Sequence, residues 1–111
     1  MGVKRSIPSS EGFSRAFSKP EQKISTKHFL LLKNTNDLSF ARIGVAVRKK
    51  DIKLAVHRNK IKRQIKGSFA IRSSALPAFD YVVLVKKNIT LSGSLVKEEL
   101  EKLWKKLEHN K

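Results

Sequence analysis

Residues 48–66 read Arg48-Lys49-Lys50-Asp51-Ile52-Lys53-Leu54-Ala55-Val56-His57-Arg58-Asn59-Lys60-Ile61-Lys62-Arg63-Gln64-Ile65-Lys66. Lysine and arginine crowd this stretch, and Asp51 is its one acid. Wound as a helix, it places Leu54, Ile61, Ile65 and Phe69 on one side, at spacings of seven, four and four. Arg58, Lys62 and Lys66 form the adjoining stripe, and Asn59 and Arg63 carry that stripe round to the far face. One side is therefore expected to bury and the other to carry a cationic band. Like charges at i, i+4 destabilise an isolated helix. No nearby acid relieves them, so a polyanion is the natural partner. The pattern predicts a helix over residues 52–70, capped by Asp51 and weakened in its last turn by Gly67.

On the N-terminal side of this helix, residues 38–48 alternate. Leu38, Phe40, Arg42, Gly44, Ala46 and Arg48 share one face; Ser39, Ala41, Ile43, Val45 and Val47 share the other. Ile43, Val45 and Val47 are expected to face the core. Arg42 and Arg48 then project from the opposite side, across the small residues Gly44 and Ala46. On the C-terminal side, residues 81–85 form an almost wholly apolar run, which reads as a strand central to a sheet. A helix between two such strands is a βαβ unit.

Further out, residues 23–26 read as a short strand and residues 28–33 as a buried one, with a turn over residues 34–37. Residues 10–18 are expected to form a short helix, capped by Ser9 or Ser10 and ended by Pro20. Phe13 and Phe17 share one side of it. That pair reads either as core or as the edge of a groove where a base stacks. Residues 1–9 read as a flexible basic arm, and residues 10–109 as one domain. After Ser92-Gly93-Ser94 comes a final helix. Its apolar stripe is Val96, Leu100, Leu103, Trp104 and Leu107, with lysines and glutamates facing out.

Composition narrows the function. The 111 residues carry a net charge of +16 and no cysteine. Residues 1–79 hold 18 basic and 4 acidic residues, and residues 80–111 hold 7 and 5. A field this strong and uneven points to nucleic acid or an anionic membrane. The cationic helix has too few bulky apolar residues for an interfacial anchor. No apolar run approaches a membrane span, and the N-terminal residues lack the apolar core of a signal peptide. His28, His57 and His109 have no metal-ligand spacing. Nucleotide-binding, zinc-protease and nucleophile-elbow motifs are absent. So basic a chain with so few acids reads as a binder rather than a catalyst; charge alone also allows duplex DNA as the partner, though no helix-turn-helix pattern is found.

Ile43 to Lys50, followed by Ala55-Val56-His57-Arg58-Asn59-Lys60-Ile61-Lys62-Arg63, resembles the bacterial ribonuclease P protein subunit. The central element is similar to the RNR helix of that family. The likeness extends to Phe13 and Phe17 and to a strand opening with Asp80-Tyr81, and so spans residues 10–107. Lys60 stands where the motif has arginine, keeping the charge without the planar fork. Leu32 stands where some members carry a tyrosine.

The resemblance implies an α+β fold: a single-domain α/β sandwich of order α-β-β-β-α-β-α. It has a left-handed βαβ crossover, as in the second domain of a ribosomal small-subunit protein. It implies a non-catalytic subunit of a ribonucleoprotein endonuclease of tRNA 5′ maturation, with Mg²⁺ and the chemistry belonging to the RNA. Arg58, Asn59, Lys60, Lys62, Arg63 and Lys66 would bind the catalytic RNA. Phe13, Phe17, Arg42, Arg48, Lys49 and Lys50 would hold the 5′ leader of precursor tRNA. The expected form is a cytoplasmic monomer in a 1:1 complex with that RNA. The alternative is a structural RNA-binding protein, such as a ribosomal protein.

Overall fold

Alternation of side chains along four strands builds the sheet, and the helices follow from which of its faces is apolar. The computed structural model describes residues 21–35, 39–48, 50–72, 76–86 and 93–109. The elements run β1 (Gln22–Ser25), β2 (Phe29–Thr35), β3 (Arg42–Ala46), α1 (Ala55–Arg72), β4 (Phe79–Val85) and α2 (Gly93–His109). The expected arm over residues 1–9 and helix over residues 10–18 lie outside the described residues. The sheet order is β1-β2-β4-β3. β2 pairs antiparallel with β1 and β4, and β3 runs parallel to β4. β3, α1 and β4 are thus the expected βαβ unit, and β4 lies inside the sheet as its apolar character predicts.

One face of the sheet presents Ile24, Phe29, Leu31, Ile43, Val45, Tyr81, Val83 and Val85 to both helices. α1 lies over β3 and contributes Ile61, Ile65 and Phe69 to this core. α2 lies over β1 and contributes Val96, Leu100, Leu103, Trp104 and Leu107. Each such side chain, fully buried, contributes about 1.5–3 kcal/mol relative to exposure. Phe69 joins the layers, with ring centroids 6.1 Å from Tyr81 and 6.2 Å from Trp104, both tilted. The indole N–H of Trp104 donates to Ser68 Oγ at 2.8 Å, so its burial leaves no unpaired donor.

Several boundaries differ from the sequence reading. β2 continues through Asn34 and Thr35, expected in a turn, because β4 offers partners that far: Asn34 opposite Asp80 and Thr35 opposite Phe79. β4 begins at Phe79, which takes Asp80 into the sheet rather than leaving it at the boundary. β3 is shorter than the alternating run, since among the described residues it pairs only with β4, from Arg42 opposite Asp80 to Ala46 opposite Leu84. α1 begins at Ala55, not residue 52. Before it, the amides of Asp51 and Ile52 both donate to Arg48 O at 3.1 Å, closing a turn. Asp51 does not cap the helix; its carboxylate accepts from Arg48 Nε at 2.7 Å. Leu54, expected in the core, is 61% exposed because it stands at the lip of the helix, and Ile52 is buried instead.

Candidate nucleic-acid interface

α1 contains six lysines and arginines and no acid (sequence AVHRNKIKRQIKGSFAIR). Its inner line is fixed by Ile61, Ile65 and Phe69. Helical geometry then grades its cations from half-buried to exposed. Arg58 and Lys62, flanking the inner line, are half-buried; Asn59, Lys60, Arg63 and Lys66 are exposed. A Cβ built on Gly67 would meet nothing within 4 Å, so the helix is open at that position. Lys60, Lys62, Arg63 and Lys66 make no ion pair among the described residues, and their charge is offered to solvent.

Arg58 differs from its neighbours in the stripe. Its Nη1 donates to Ile52 O and Lys53 O, both at 2.8 Å. Those carbonyls precede the helix and lack intrahelical donors, so Arg58 ties the turn to the first helical residues. The periodicity placed Arg58 correctly beside the apolar line. It gives no sign of this bond, because the sequence reading starts the helix at residue 52 and so places Ile52 and Lys53 inside it.

The second face of the sheet is the other candidate surface. Register arranges it in rows. Leu30, Leu84 and Ala46 form one row, Leu32, Val82 and Gly44 the next, and Asn34, Asp80 and Arg42 the last. Leu32 and Val82 are buried together, with Leu30 partly buried against them. Arg42 does project from this face as its alternation predicts, but into an ion pair. Its Nε donates to Asp80 Oδ1 and its Nη2 to Asp80 Oδ2, each at 2.8 Å. Arg48 is exposed and paired with Asp51, three residues on. Lys50 is exposed. Phe13, Phe17 and Lys49 lie outside the described residues. The structure therefore brings Arg42 together with Gly44 and Ala46, and puts Arg48 and Lys50 at the turn beyond β3.

Asn34 was missed by sequence reasoning. It is 8% exposed, and its Nδ2 is buried with no hydrogen-bond partner. Such a donor costs about 1–3 kcal/mol. The signal available in sequence was weak: an asparagine beside Thr35 reads as turn until the partner strand is known.

Among the described residues, no three histidines, aspartates or glutamates gather as a metal site. No helix among them is long and apolar enough to cross a membrane. What the arrangement offers chemically is phosphate binding by α1 and a half-apolar sheet face edged by paired charges.

The fold and this face define a small basic α+β protein that presents a cationic, acid-free helix. A family model described as ribonuclease P matches residues 1–108. A ribonuclease P protein component from Idiomarina loihiensis is 43% identical over 96 residues, covering 86% of this chain and 77% of that one. The protein of the same name from Pseudomonas aeruginosa PAO1 is 39% identical over 100 residues, covering 89% and 74%. Among solved structures, the Staphylococcus aureus RNase P protein superposes with a TM-score of 0.84 at 26% identity, covering 95% of this chain and 96% of that one. The Thermotoga maritima RNase P protein gives 0.77 at 25% identity, covering 93% and 97%. The chain belongs to the ribonuclease P protein family.

Proposed function

We propose that this chain is the protein subunit of ribonuclease P, binding the catalytic RNA through α1 and the 5′ leader of precursor tRNA on the second face of the sheet. The observation that carries the reading is the exposed, acid-free band of Asn59, Lys60, Arg63 and Lys66 on α1. Four positions on one open helix face match phosphates along a folded RNA backbone better than any compact ligand. Lys62, half-buried beside them, adds to the same field.

For the leader, Phe13 and Phe17 are assigned to stacking of its bases, with Arg42, Arg48, Lys49 and Lys50 assigned to its phosphates. Stacking with flanking cations holds single strands with little sequence preference. The protein's work is then to bind and orient. Mg²⁺ belongs with the RNA in this reading, which supplies the hydrolytic chemistry; no cluster among the described residues competes for it. Family membership favours this subunit role over that of a ribosomal structural protein.

The test is reconstitution with a bacterial ribonuclease P RNA at low Mg²⁺, with leader cleavage as the readout. The parent protein should restore cleavage. The Arg63→Ala, Lys66→Ala double variant should assemble about tenfold more weakly or worse, on the scale of two lost charge-assisted contacts, with unchanged circular dichroism. Assembly at parental affinity would remove α1 from the RNA.

A further inference from the structure

We propose that Asn59 reads a ribose 2′-hydroxyl, and so makes α1 select RNA over DNA. The inference rests on the reading that α1 meets the RNA subunit. The charge that carries that reading does not supply the choice. A phosphate of DNA and a phosphate of RNA offer the same oxygens to a lysine or an arginine. Lys60, Lys62, Arg63 and Lys66 are donors only, and a surface of donors alone holds either backbone.

Asn59 is the exception within the band. Its side-chain amide carries two N–H donors and a carbonyl acceptor. The other side chains of α1 able to accept, His57, Gln64 and Ser68, follow one another along the other flank of the buried line, and Ser68 is taken by the Trp104 indole at 2.8 Å. Asn59 is exposed, and among the described residues its side chain has no hydrogen-bonding partner. Asparagine is also a poorer helix former than alanine, so the fold gains nothing from it here.

Its neighbours say what it faces. Residues three and four apart are adjacent on a helix surface. Toward the C-terminus those neighbours of Asn59 are Lys62 and Arg63. Toward the N-terminus they are Val56 and Ala55, both exposed, Val56 to 72%. The order along this face is apolar, amide, cation. A nucleotide of RNA has the same order: the C–H face of the ribose, the 2′-hydroxyl, then the 3′-phosphate. The hydroxyl is donor and acceptor at once, and the shallow minor groove of an RNA helix displays it. It donates to Asn59 Oδ1 or accepts from Nδ2, while the cations hold the adjoining phosphates. DNA puts a C–H in its place and leaves the amide unpaired, which weakens the complex.

The experiment binds the full chain to a bacterial ribonuclease P RNA transcribed with sparse 2′-deoxy nucleotides. Bound and unbound fractions are mapped for positions where loss of the hydroxyl weakens binding. At least one such position in the parent map should vanish with Asn59→Ala and persist with Lys66→Ala. Asn59→Ala should bind unmodified RNA about fivefold more weakly, on the scale of one hydrogen bond, and duplex DNA as the parent does. Its slope of log affinity against log salt should equal the parent's, since no charge is removed. Its unfolding midpoint should match or exceed the parent's, alanine being the better helix former. Parental RNA affinity in Asn59→Ala overturns the proposal. So do identical maps, an equal loss on DNA, or a midpoint below the parent's, which would make Asn59 structural. If the Arg63→Ala, Lys66→Ala double variant weakens RNA binding and Asn59→Ala does not, the hydroxyl contact alone fails. If that double variant binds as the parent does, the reading of α1 fails, and this contact with it.

Discussion

Tyr81 is the one tyrosine of the chain, fully buried, with its hydroxyl donating to Pro77 O at 3.0 Å. Burial pushes its pKa up to about 12, because the phenolate would lose its hydration. The unfolded chain releases this proton near the ordinary value of about 10. The stability it contributes is therefore whole below about pH 10 and declines as pH rises toward the folded value. Tyrosinate absorbance of the folded protein should titrate at about 12, and Tyr81→Phe should flatten the alkaline limb of unfolding. A midpoint near 10 would show a solvated ring. Glu99 works with the opposite sign. Its Oε2 accepts from Thr26 Oγ1 and from the His28 amide, both at 2.6 Å, and its Oε1 lies 2.8 Å from His28 Nδ1. Burial alone would raise its pKa; the hydrogen bonds from Thr26 and His28 and the His28 charge outweigh that and hold it low. This contribution is present above the unfolded value of about 4.3 and is lost as pH falls through the lower folded one. Glu99→Gln should cost about 1–3 kcal/mol at neutral pH by leaving buried donors poorly met. It should also make the urea midpoint less sensitive to acid; an unchanged acid limb would assign that limb to another group.

At the scale of the element, α1 separates two kinds of arginine. Arg58 holds the turn before the helix, whereas Arg63 is exposed and makes no ion pair among the described residues. Arg58→Ala should cost about 1–2 kcal/mol in urea unfolding, and Arg63→Ala should stay within about 0.5 kcal/mol of the parent. Equal losses would mean that the bonds of Arg58 to Ile52 and Lys53 are not stabilising. Gly67→Ala enters open space on the same helix and should stabilise it by up to about 1 kcal/mol. Much of this element was legible in the sequence, because a 3.6-residue period states which side chains bury: Ile61, Ile65 and Phe69 all do. The stripe of α2 was legible for the same reason, and so was the inward set of β3. What the period did not carry is whatever depends on a partner strand or a turn. Asp80 looked like a strand boundary until the parallel register set it beside Arg42. Asn34 looked like turn until β4 extended β2. Asp51 looked like a cap until the turn over residues 48–52 gave its carboxylate to Arg48. In each case a polar residue chose between a local role and a partner distant in sequence or hidden by the turn, and composition holds no record of that choice.

At the scale of the whole molecule, charge divides stability from binding. The net charge of +16 is carried mostly by residues 1–79, and the acids of the C-terminal part sit largely on α2. Some of those acids are spent on neighbouring elements: Glu101 and Glu108 pair with Arg72 of α1, and Glu99 holds the turn between β1 and β2. Among the described residues, no acid pairs with Lys60, Arg63 or Lys66. The free protein therefore carries uncompensated repulsion, which added salt relieves by screening over roughly 8–10 Å at 0.1–0.15 M. In the complex, the same charges displace counterions from RNA, and added salt opposes them. A single salt series should consequently move two measurements in opposite directions. The unfolding midpoint of the free protein should rise with salt, while its affinity for ribonuclease P RNA should fall. If about six phosphates are neutralised, the slope of log affinity against log salt should be about −4 to −5. In the Arg63→Ala, Lys66→Ala variant that slope should be shallower by about one to two, one contact for each cation removed. The salt-induced rise in unfolding midpoint should shrink in the same variant, because two of the repelling charges are gone. A variant with the parental slope would place the phosphate contacts elsewhere. A parent whose midpoint ignores salt would show that the band costs the fold nothing.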